Sequence, residues 1–241
     1  MSQVVHVIVK GKKKKVRGVN LKLSKMGITD ISQIEGLESL TFLKRLMLRE
    51  NFITEIKGLE SLVNLTHLFL SGNKITEIKG LENLKELGYL SLSNNNISEI
   101  KGLDNLKDLW TLDLRSNNIS EIKGLENLTN LMMLYLDNNN FTDIKGLENL
   151  GKLSEITLGL AREPHWGFTT IGFNLNGKII PWDIAKKMGI KYRRGGKFDK
   201  PRLFIRQKKM VKYCKFVKDT GYVDFTAPGI VDAYNEWEKY H

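Results

Sequence analysis

The sequence predicts an α/β fold: a solenoid of stacked repeats whose short parallel strands form one long sheet. Three observations predict it. The sequence resembles itself at a fixed period of 22 residues. Each copy contains a leucine–x–leucine pair, an alternation that is typical of a short strand with one buried face. Each copy then continues with an asparagine and a glycine–leucine step. The chain has 241 residues, 41% of them apolar, which is enough to bury a continuous core.

The strands come first in each copy. One repeat cannot bury its apolar face alone, but a stack of repeats can, so we expect the pairs to form a single parallel sheet. The first members of the pairs are Leu46, Leu68, Leu90, Leu112, Leu134 and Ile156, and the second members are Leu48, Leu70, Leu92, Leu114, Leu136 and Leu158.

The return segment of each copy supplies the opposite wall of the core. In the first regular copy its apolar residues are Ile53, Ile56, Leu59, Leu62 and Leu65. Burying one such side chain stabilises the fold by roughly 1.5–3 kcal/mol. The glycine of each glycine–leucine step is expected where the chain bends back close to its neighbour.

An asparagine follows each strand, and these asparagines are expected to form a ladder inside the solenoid. Their amides would satisfy backbone groups that the turn after the strand leaves unpaired. The members of the ladder are Asn51, Asn73, Asn95, Asn117 and Asn139.

With these motifs in place, residues 20–160 resemble the leucine-rich-repeat family, in its 22-residue class. That class includes the repeat arrays of the phosphatase-1 regulatory subunit and of the bacterial internalins. The resemblance implies a curved solenoid with the parallel sheet on its concave face and an irregular or 3-10-like convex side. It also implies that the concave face holds another protein.

The ends of the array differ from its middle, as capping of an exposed core requires. Leu21-x-Leu23 begins a copy that is three residues longer, with Met26 at the asparagine position, and the last copy has Ala161 there. The sequence therefore predicts three parts: a cap strand or hairpin at 1–19, about seven strands with five regular copies at 20–160, and a basic α+β cap or small domain at 161–241.

The candidate binding residues are those that the repeat does not fix. Positions flanking the strand leucines vary freely between copies and point out of the sheet, and several hold large side chains of the types enriched in protein interfaces. Charged residues among them would add specificity. An interpretation as a merely tolerant surface remains open. The candidate residues are Arg45, Met47, Arg49, His67, Phe69, Tyr89, Asp113, Arg115, Met133, Tyr135 and Asp137.

Charged columns on the other faces have a simpler interpretation. Acids recur at Glu55 and its equivalents, lysines follow two residues later, and a second acidic column begins at Glu60. A binding stripe is one interpretation. We favour a solvated wall of alternating charge, on which each ion pair contributes little.

Residues 161–241 leave the repeat. Ile171, Phe173 and Leu175 alternate into Asn176–Gly177, which predicts a hairpin with 178–180. Helices are predicted at 181–188, from Pro201 to about 219, and at 230–240. This segment carries 17 basic and eight acidic residues. Solvated lysines on a cap are the simplest interpretation, and binding to nucleic acid or to another acidic surface is the alternative.

Net charge and composition limit the remaining functions. The total of +11 divides into +7 at 1–22, −5 at 23–160 and +9 at 161–241, so charge alone does not make the whole chain a nucleic-acid binder. No apolar run is long enough to span a membrane, and no secretory signal is apparent. The single cysteine, Cys214, favours a reducing, cytoplasmic location.

No catalytic, metal-binding or cofactor-binding motif is found. The four histidines are far apart in the sequence, and Cys214 lies on the apolar side of a predicted helix, as expected for a packed residue rather than a nucleophile. We therefore expect a monomeric, non-enzymatic adaptor or scaffold without a cofactor, whose partner is another protein of unknown identity.

Overall fold

A computed structural model describes residues 5–140, 147, 149–153 and 155–159, and four further strands at 173–175, 178–180, 190–193 and 202–205. Its main element is a parallel sheet that runs the length of a solenoid of stacked coils. In chain order, the parallel strands are β3 Asn20–Lys22, β4 Arg45–Met47, β5 His67–Phe69, β6 Tyr89–Ser91, β7 Thr111–Asp113, β8 Met133–Tyr135 and β9 Glu155–Gly159.

Equivalent residues of successive repeats lie side by side across the sheet. Leu46 pairs with Leu68, Leu68 with Leu90 and Leu90 with Leu112. The second leucine of each pair follows the strand, and both leucines are fully buried from Leu46 to Leu136. The 22-residue register and the inward-facing leucines confirm the predicted solenoid.

The return segments close the core from the other side. Leu62 donates its backbone N–H to the Leu59 carbonyl, and Leu65 donates to the Leu62 carbonyl, both at 2.9 Å. These bonds span three residues, as in a 3-10 helix, and they recur in the following repeats. The longer first copy has two short 3-10 helices, Ile31–Gln33 and Leu37–Ser39. The expected 3-10-like convex side is therefore present.

The asparagine ladder is also confirmed. Asn95 shows the repeated pattern: its Nδ2 donates to the carbonyls of Leu70 at 3.1 Å and Leu92 at 2.9 Å, and its Oδ1 accepts from Ile75 N–H at 3.0 Å. Each amide thereby joins its own turn to the preceding repeat. The ladder satisfies backbone groups that would otherwise be buried without partners. The same pattern is made by Asn51, Asn73, Asn117 and Asn139.

Glycine is required where each return segment begins. Gly80 has a φ of +74°, and a Cβ there would collide with the Ile56 carbonyl oxygen of the preceding repeat. The Gly80 N–H donates to Glu82 Oε1 at 3.1 Å. The second acidic column therefore stabilises the turn, a role that the charge pattern alone did not indicate.

The first acidic column and its lysines form the predicted solvated wall. Glu77 lies 3.7 Å from Lys79 and 3.9 Å from Lys101, and Glu121 lies 2.9 Å from Lys123. All of these side chains are about half exposed or more. Pairs of this kind contribute little to stability.

A β-hairpin covers the N-terminal end of the core. Its strands, β1 His6–Val9 and β2 Lys12–Lys15, pair antiparallel. Val7, Val9 and Val16 are buried in the same apolar cluster as the repeat leucines. The hairpin therefore removes the first copy from water, which the exposed end of a solenoid needs.

The strands after residue 160 confirm one prediction from the sequence, the hairpin, and contradict another, the start of the helix at Pro201. The hairpin is confirmed: β10 Phe173–Leu175 and β11 Lys178–Ile180 pair antiparallel around Asn176–Gly177. The helix expected from Pro201 is wrong at its start, because β13 Arg202–Ile205 is a strand that pairs antiparallel with β9. An uncovered β9 would leave edge N–H and C=O groups unpaired, and this tertiary pairing outweighs the local helical pattern.

One further strand, β12 Ile190–Arg193, pairs with β13 and completes a nine-stranded sheet in the order β12-β13-β9-β8-β7-β6-β5-β4-β3. The helices expected at 181–188 and 230–240, and the remainder of the helix after 205, lie outside the described residues.

Candidate functional site

The strand register assembles the candidate residues into rows on the concave face. In each of the strands β3 to β8 the middle residue is buried, and its two neighbours point away from the core. Arg45, His67 and Tyr89 are consecutive partners in one row, while Met47 and Phe69 are partners in the next. Adjacent strands are about 4.8 Å apart, so side chains within a row contact each other.

An aromatic cluster forms where these rows meet. The ring centroids of Phe69 and Tyr89 are 5.0 Å apart, and those of His67 and Tyr89 are 5.9 Å apart with the rings stacked. Phe69 and His67 are 6.3 Å apart. These separations are those of favourable aromatic pairs. The three rings are half-buried, so each keeps surface that a ligand can contact.

A fourth ring, Trp110, joins the cluster. Its indole meets Tyr89 edge to face at 5.9 Å and His67 at 6.3 Å, and 37% of its surface is exposed. Trp110 is not among the residues predicted from the sequence, because the candidates were confined to positions that flank the strand leucines. Trp110 lies one residue before strand β7. The available signal was a tryptophan where the neighbouring copy has Gly88.

Two arginines border the aromatic cluster. The Arg49 guanidinium carbon lies 4.4 Å from the centre of the Phe69 ring, within the range of a cation–π contact. Arg45 lies beside His67 in the same row. Partial burial, with the nearby positive charge of Arg45 as a smaller cause, lowers the pKa of His67 below its ordinary value. The His67 ring nitrogen Nδ1 lies 2.9 Å from Thr66 Oγ1.

Small side chains fill the middle of the face. Ser91, Thr111 and Asp113 are nearly fully buried although they point away from the leucine core. Ser71 Oγ lies 2.6 Å from Ser91 Oγ, which donates to Asp113 Oδ2 at 3.4 Å. The middle of the concave face is therefore formed by small, buried polar side chains, which lie deeper than the larger side chains on either side.

The second half of the face is organised by Asp113 and Arg115. Arg115 donates from Nε to Asp113 Oδ1 and from Nη2 to Oδ2, both at 2.8 Å. These bonds to Asp113 raise the pKa of the Arg115 guanidinium. The guanidinium also lies 5.3 Å from the centre of the Tyr135 ring. Tyr135 Oη donates to Met133 Sδ at 3.4 Å.

The structure thus divides the candidate residues into two groups. Arg45, Met47, Arg49, His67, Phe69 and Tyr89 lie together around the aromatic cluster, and Asp113, Arg115, Met133, Tyr135 and Asp137 lie in the second half. Asp113 and Asp137 are both buried. Asp113 thus orients Arg115 from below and presents almost no surface to a ligand.

Two further kinds of feature, a cluster of metal ligands and a membrane-spanning helix, are absent from the described part of the chain. Within it, no three histidine, cysteine, aspartate or glutamate side chains cluster as metal ligands would. No helix in the same part is long and apolar enough to cross a membrane.

Comparisons with known proteins agree with this architecture. A family pattern described as leucine-rich repeats in two copies matches residues 41–85 and 63–105. No curated protein matches the chain. Among solved structures, an internalin from Listeria monocytogenes is 35% identical with a TM-score of 0.53, over 59% of this chain and 43% of the internalin.

Two further structures from Listeria monocytogenes are similar. The functional domain of InlJ is 23% identical with a TM-score of 0.49, over 58% of this chain and 29% of that one. Internalin C2 is 30% identical with a TM-score of 0.38, over 58% of this chain and 80% of that one. The chain spans less than half the length of the first two of these structures.

The residues that the family pattern matches, 41–85 and 63–105, lie within the stretch that shows the 22-residue register and the asparagine ladder, and the likeness to the first internalin extends over more than half of the chain. The chain belongs to the leucine-rich-repeat family.

Proposed function

We propose that this protein is a non-enzymatic adaptor or scaffold that binds another protein on the concave face of its repeats. Leucine-rich-repeat folds like that of the internalins are typically protein-interaction modules. The observation that carries the proposal is the cluster of His67, Phe69, Tyr89 and Trp110. Burial of the leucine core does not require these four rings to gather on the outward side of the sheet.

The chemistry of the cluster supports a protein partner. Aromatic residues and arginine often dominate the energetics of protein interfaces, and the rigid aromatic side chains lose little entropy on binding. Here the rings support one another, and Arg45 and Arg49 remain exposed at their border. A partner segment with an apolar or aromatic side chain next to a carboxylate would complement this arrangement.

The experiment that tests this proposal compares two triple variants of the full chain by affinity purification. The first carries Phe69→Ala, Tyr89→Asp and Tyr135→Ala on the concave face. The control carries Phe42→Ala, Phe52→Ala and Val63→Asp, which change residues that are at least as exposed as Trp110 but lie outside the strands. Both variants are first checked for an unchanged circular dichroism spectrum.

We expect partners captured by the native chain to be retained by the control and lost by the concave-face variant. Equal capture by the native chain and the concave-face variant would overturn the proposal. A nuclease-treated sample tests the alternative function, nucleic-acid binding, because partners that disappear on nuclease treatment are held through nucleic acid.

The alternative of nucleic-acid binding concerns side chains at 161–241, which lie outside the described residues, and no observation on the repeats favours it. The proposed cytoplasmic location rests on the single cysteine. Cell fractionation with an antibody against the repeats tests it.

A further inference from the structure

The N-terminal hairpin has one occupied edge and one open edge. On the β1 side, Ile8 and Glu35 exchange two backbone hydrogen bonds of 3.0 Å. On the β2 side, no strand of the described chain pairs with it, since β1 and β2 form a two-stranded sheet. The hairpin thus continues into the fold on one side only.

The register shows which backbone groups the open edge presents. Ile8 turns its N–H and C=O away from β2 towards Glu35, so Ile8 and Lys13 are opposite one another without sharing hydrogen bonds. Lys13 therefore turns its own N–H and C=O outward, and Lys15, opposite His6, does the same. These groups form the template to which an additional strand can pair.

The side chains of β2 make this edge strongly basic. Its four residues are all lysines, and no acidic residue occurs before Asp30. Lys12 and Lys14 lie opposite Val9 and Val7 and share their face, while Lys13 and Lys15 lie on the other face. None of the four forms an ion pair with the described residues.

We propose that β2 is a second binding site, distinct from the concave face, which takes an extended acidic segment of another polypeptide as a third strand of the hairpin. An added strand directs its side chains alternately to both faces. Acidic side chains on either face of the added strand then lie next to lysines of β2. The backbone of the added strand forms hydrogen bonds with the N–H and C=O groups of Lys13 and Lys15. A second copy of β2 is repelled by the same lysines.

The alternation also distinguishes this partner from other polyanions. A lipid bilayer or a nucleic-acid duplex would meet the lysines of one face and leave the outward N–H and C=O groups of the edge without partners. An acidic strand uses both faces and the edge together. The strand's main-chain bonds provide the geometry, and the lysines provide selectivity and a dependence on salt.

The test measures binding of a fluorescent peptide that alternates pairs of glutamates with threonine or valine. Its control is the same peptide with every backbone amide N-methylated, which keeps the charge but removes the main-chain donors from both edges of the strand. Single-stranded DNA and phosphatidylserine vesicles serve as the competing polyanions. The protein is used as the full chain.

Two matched variants separate backbone pairing from charge. Lys13→Gln removes one charge, whereas Lys13→Pro also removes the outward N–H without breaking a bond of the hairpin. We expect Lys13→Pro to weaken peptide binding about tenfold relative to Lys13→Gln, and the N-methylated peptide to bind the native chain at least as poorly.

Equal binding of both peptides, or equal affinity of the two variants with unchanged melting temperatures, would overturn strand addition. Tighter binding of DNA or vesicles than of the peptide would assign the edge to a different polyanion. Absence of peptide binding at low salt would leave the lysines as protection of the edge and would likewise overturn the proposal. If Lys13→Pro does not fold, the comparison of the two peptides on the native chain gives the decision.

Discussion

The indole of Trp110 occupies the space above Gly88 that a side chain at residue 88 would fill. A Cβ built at Gly88 would lie 2.7 Å from Trp110 Cδ1. Gly88 does not have a positive φ, so its backbone would accept alanine without strain. Glycine is needed here to let the indole lie beside Tyr89 and His67, and this contact links two repeats on the concave face.

Gly88→Ala is therefore expected to move Trp110 while leaving the repeat intact. The indole is partly exposed and can rotate away, so the free energy of unfolding should fall by no more than about 1 kcal/mol. The indole N–H resonance of Trp110 in a ¹H–¹⁵N spectrum should shift, with Trp110→Phe identifying the signal. Partner capture should weaken if the proposed concave-face site is correct.

A double-mutant cycle provides the control for this prediction. In a Trp110→Ala background, the Gly88→Ala change should cost less than in the native chain, because the clashing ring is gone. An unshifted indole signal in Gly88→Ala would contradict the account.

The repeat framework could be predicted from the sequence because each framework position holds the same type of residue in successive copies. Leu68 and Asn73 have equivalents one repeat away on either side, and every copy strengthens the expectation for the others. The concave face lacks this support, since Phe69, Ser91 and Asp113 occupy equivalent positions with different chemistry. Trp110 and Gly88 occupy equivalent positions of neighbouring repeats. The pattern alone does not show that the indole of one fills the space above the other.

Burial on the face also could not be read from the pattern. The alternation correctly predicts that Asp113 points away from the leucine core. We had inferred from this direction that its carboxylate would be exposed to a partner. Its larger neighbours cover it, and Arg115 takes both carboxylate oxygens. Whether an outward position is exposed depends on the sizes of its neighbours, which a repeat alignment does not give. The helix predicted from Pro201 was wrong at its start for a related reason. Residues 202–204 pair with the edge of β9, and this long-range contact is not visible in the local sequence.

Asn95→Ala is expected to destabilise the solenoid substantially. It leaves the Ile75 N–H without its acceptor inside the core. The Leu70 and Leu92 carbonyls each lose one of two amide donors and keep those of Asn73 and Asn117. One unsatisfied buried N–H costs about 1–3 kcal/mol and each hydrogen bond lost from a carbonyl about 0.5–1.5 kcal/mol. Water entering the gap offsets part of that cost, so we expect a loss of about 2–4 kcal/mol. Urea unfolding followed by circular dichroism measures it.

The neighbouring Asn96→Ala provides the matched control, because the Asn96 side chain is exposed and only its backbone N–H bonds to Ile75. It should change the free energy of unfolding by less than about 0.5 kcal/mol. Similar losses in the two variants would show that the ladder does not carry the stability assigned to it.

The Asp113–Arg115 pair is expected to be strongly coupled. Arg115→Ala leaves the buried Asp113 carboxylate without its two strongest donors, so it should cost about 2–3 kcal/mol. In Asp113→Asn, the Arg115 guanidinium can turn towards water because a third of its side chain is already exposed, and the loss should be smaller. Chemical unfolding of both single variants and the double variant gives the comparison.

The double variant should be more stable than the sum of the single losses predicts, by about 1 kcal/mol or more, because a neutral amide at position 113 no longer needs the cation. Additive losses would mean that the two side chains contribute independently, in contradiction to the bidentate geometry.

His67 is expected to make the stability of the solenoid depend on pH. Burial and the charge of Arg45 lower its pKa in the folded state, while in the unfolded chain it titrates near the ordinary value of about 6.5. Between these two pKa values the unfolded chain binds more protons than the folded one. The free energy of unfolding therefore falls as pH decreases below about 6.5, until the folded pKa is reached.

Urea unfolding between about pH 5 and pH 8 measures this dependence, and His67→Gln should reduce it. Arg45→Gln is the informative companion, because it removes the nearby positive charge but keeps the imidazole. It should raise the folded pKa of His67, measured by NMR titration, and narrow the pH window over which stability is lost. A His67 pKa at or above the ordinary value in the native chain, or identical profiles for the native chain and His67→Gln, would refute the assignment. The titration thus reports directly on the packing of the aromatic cluster that carries the proposed binding function.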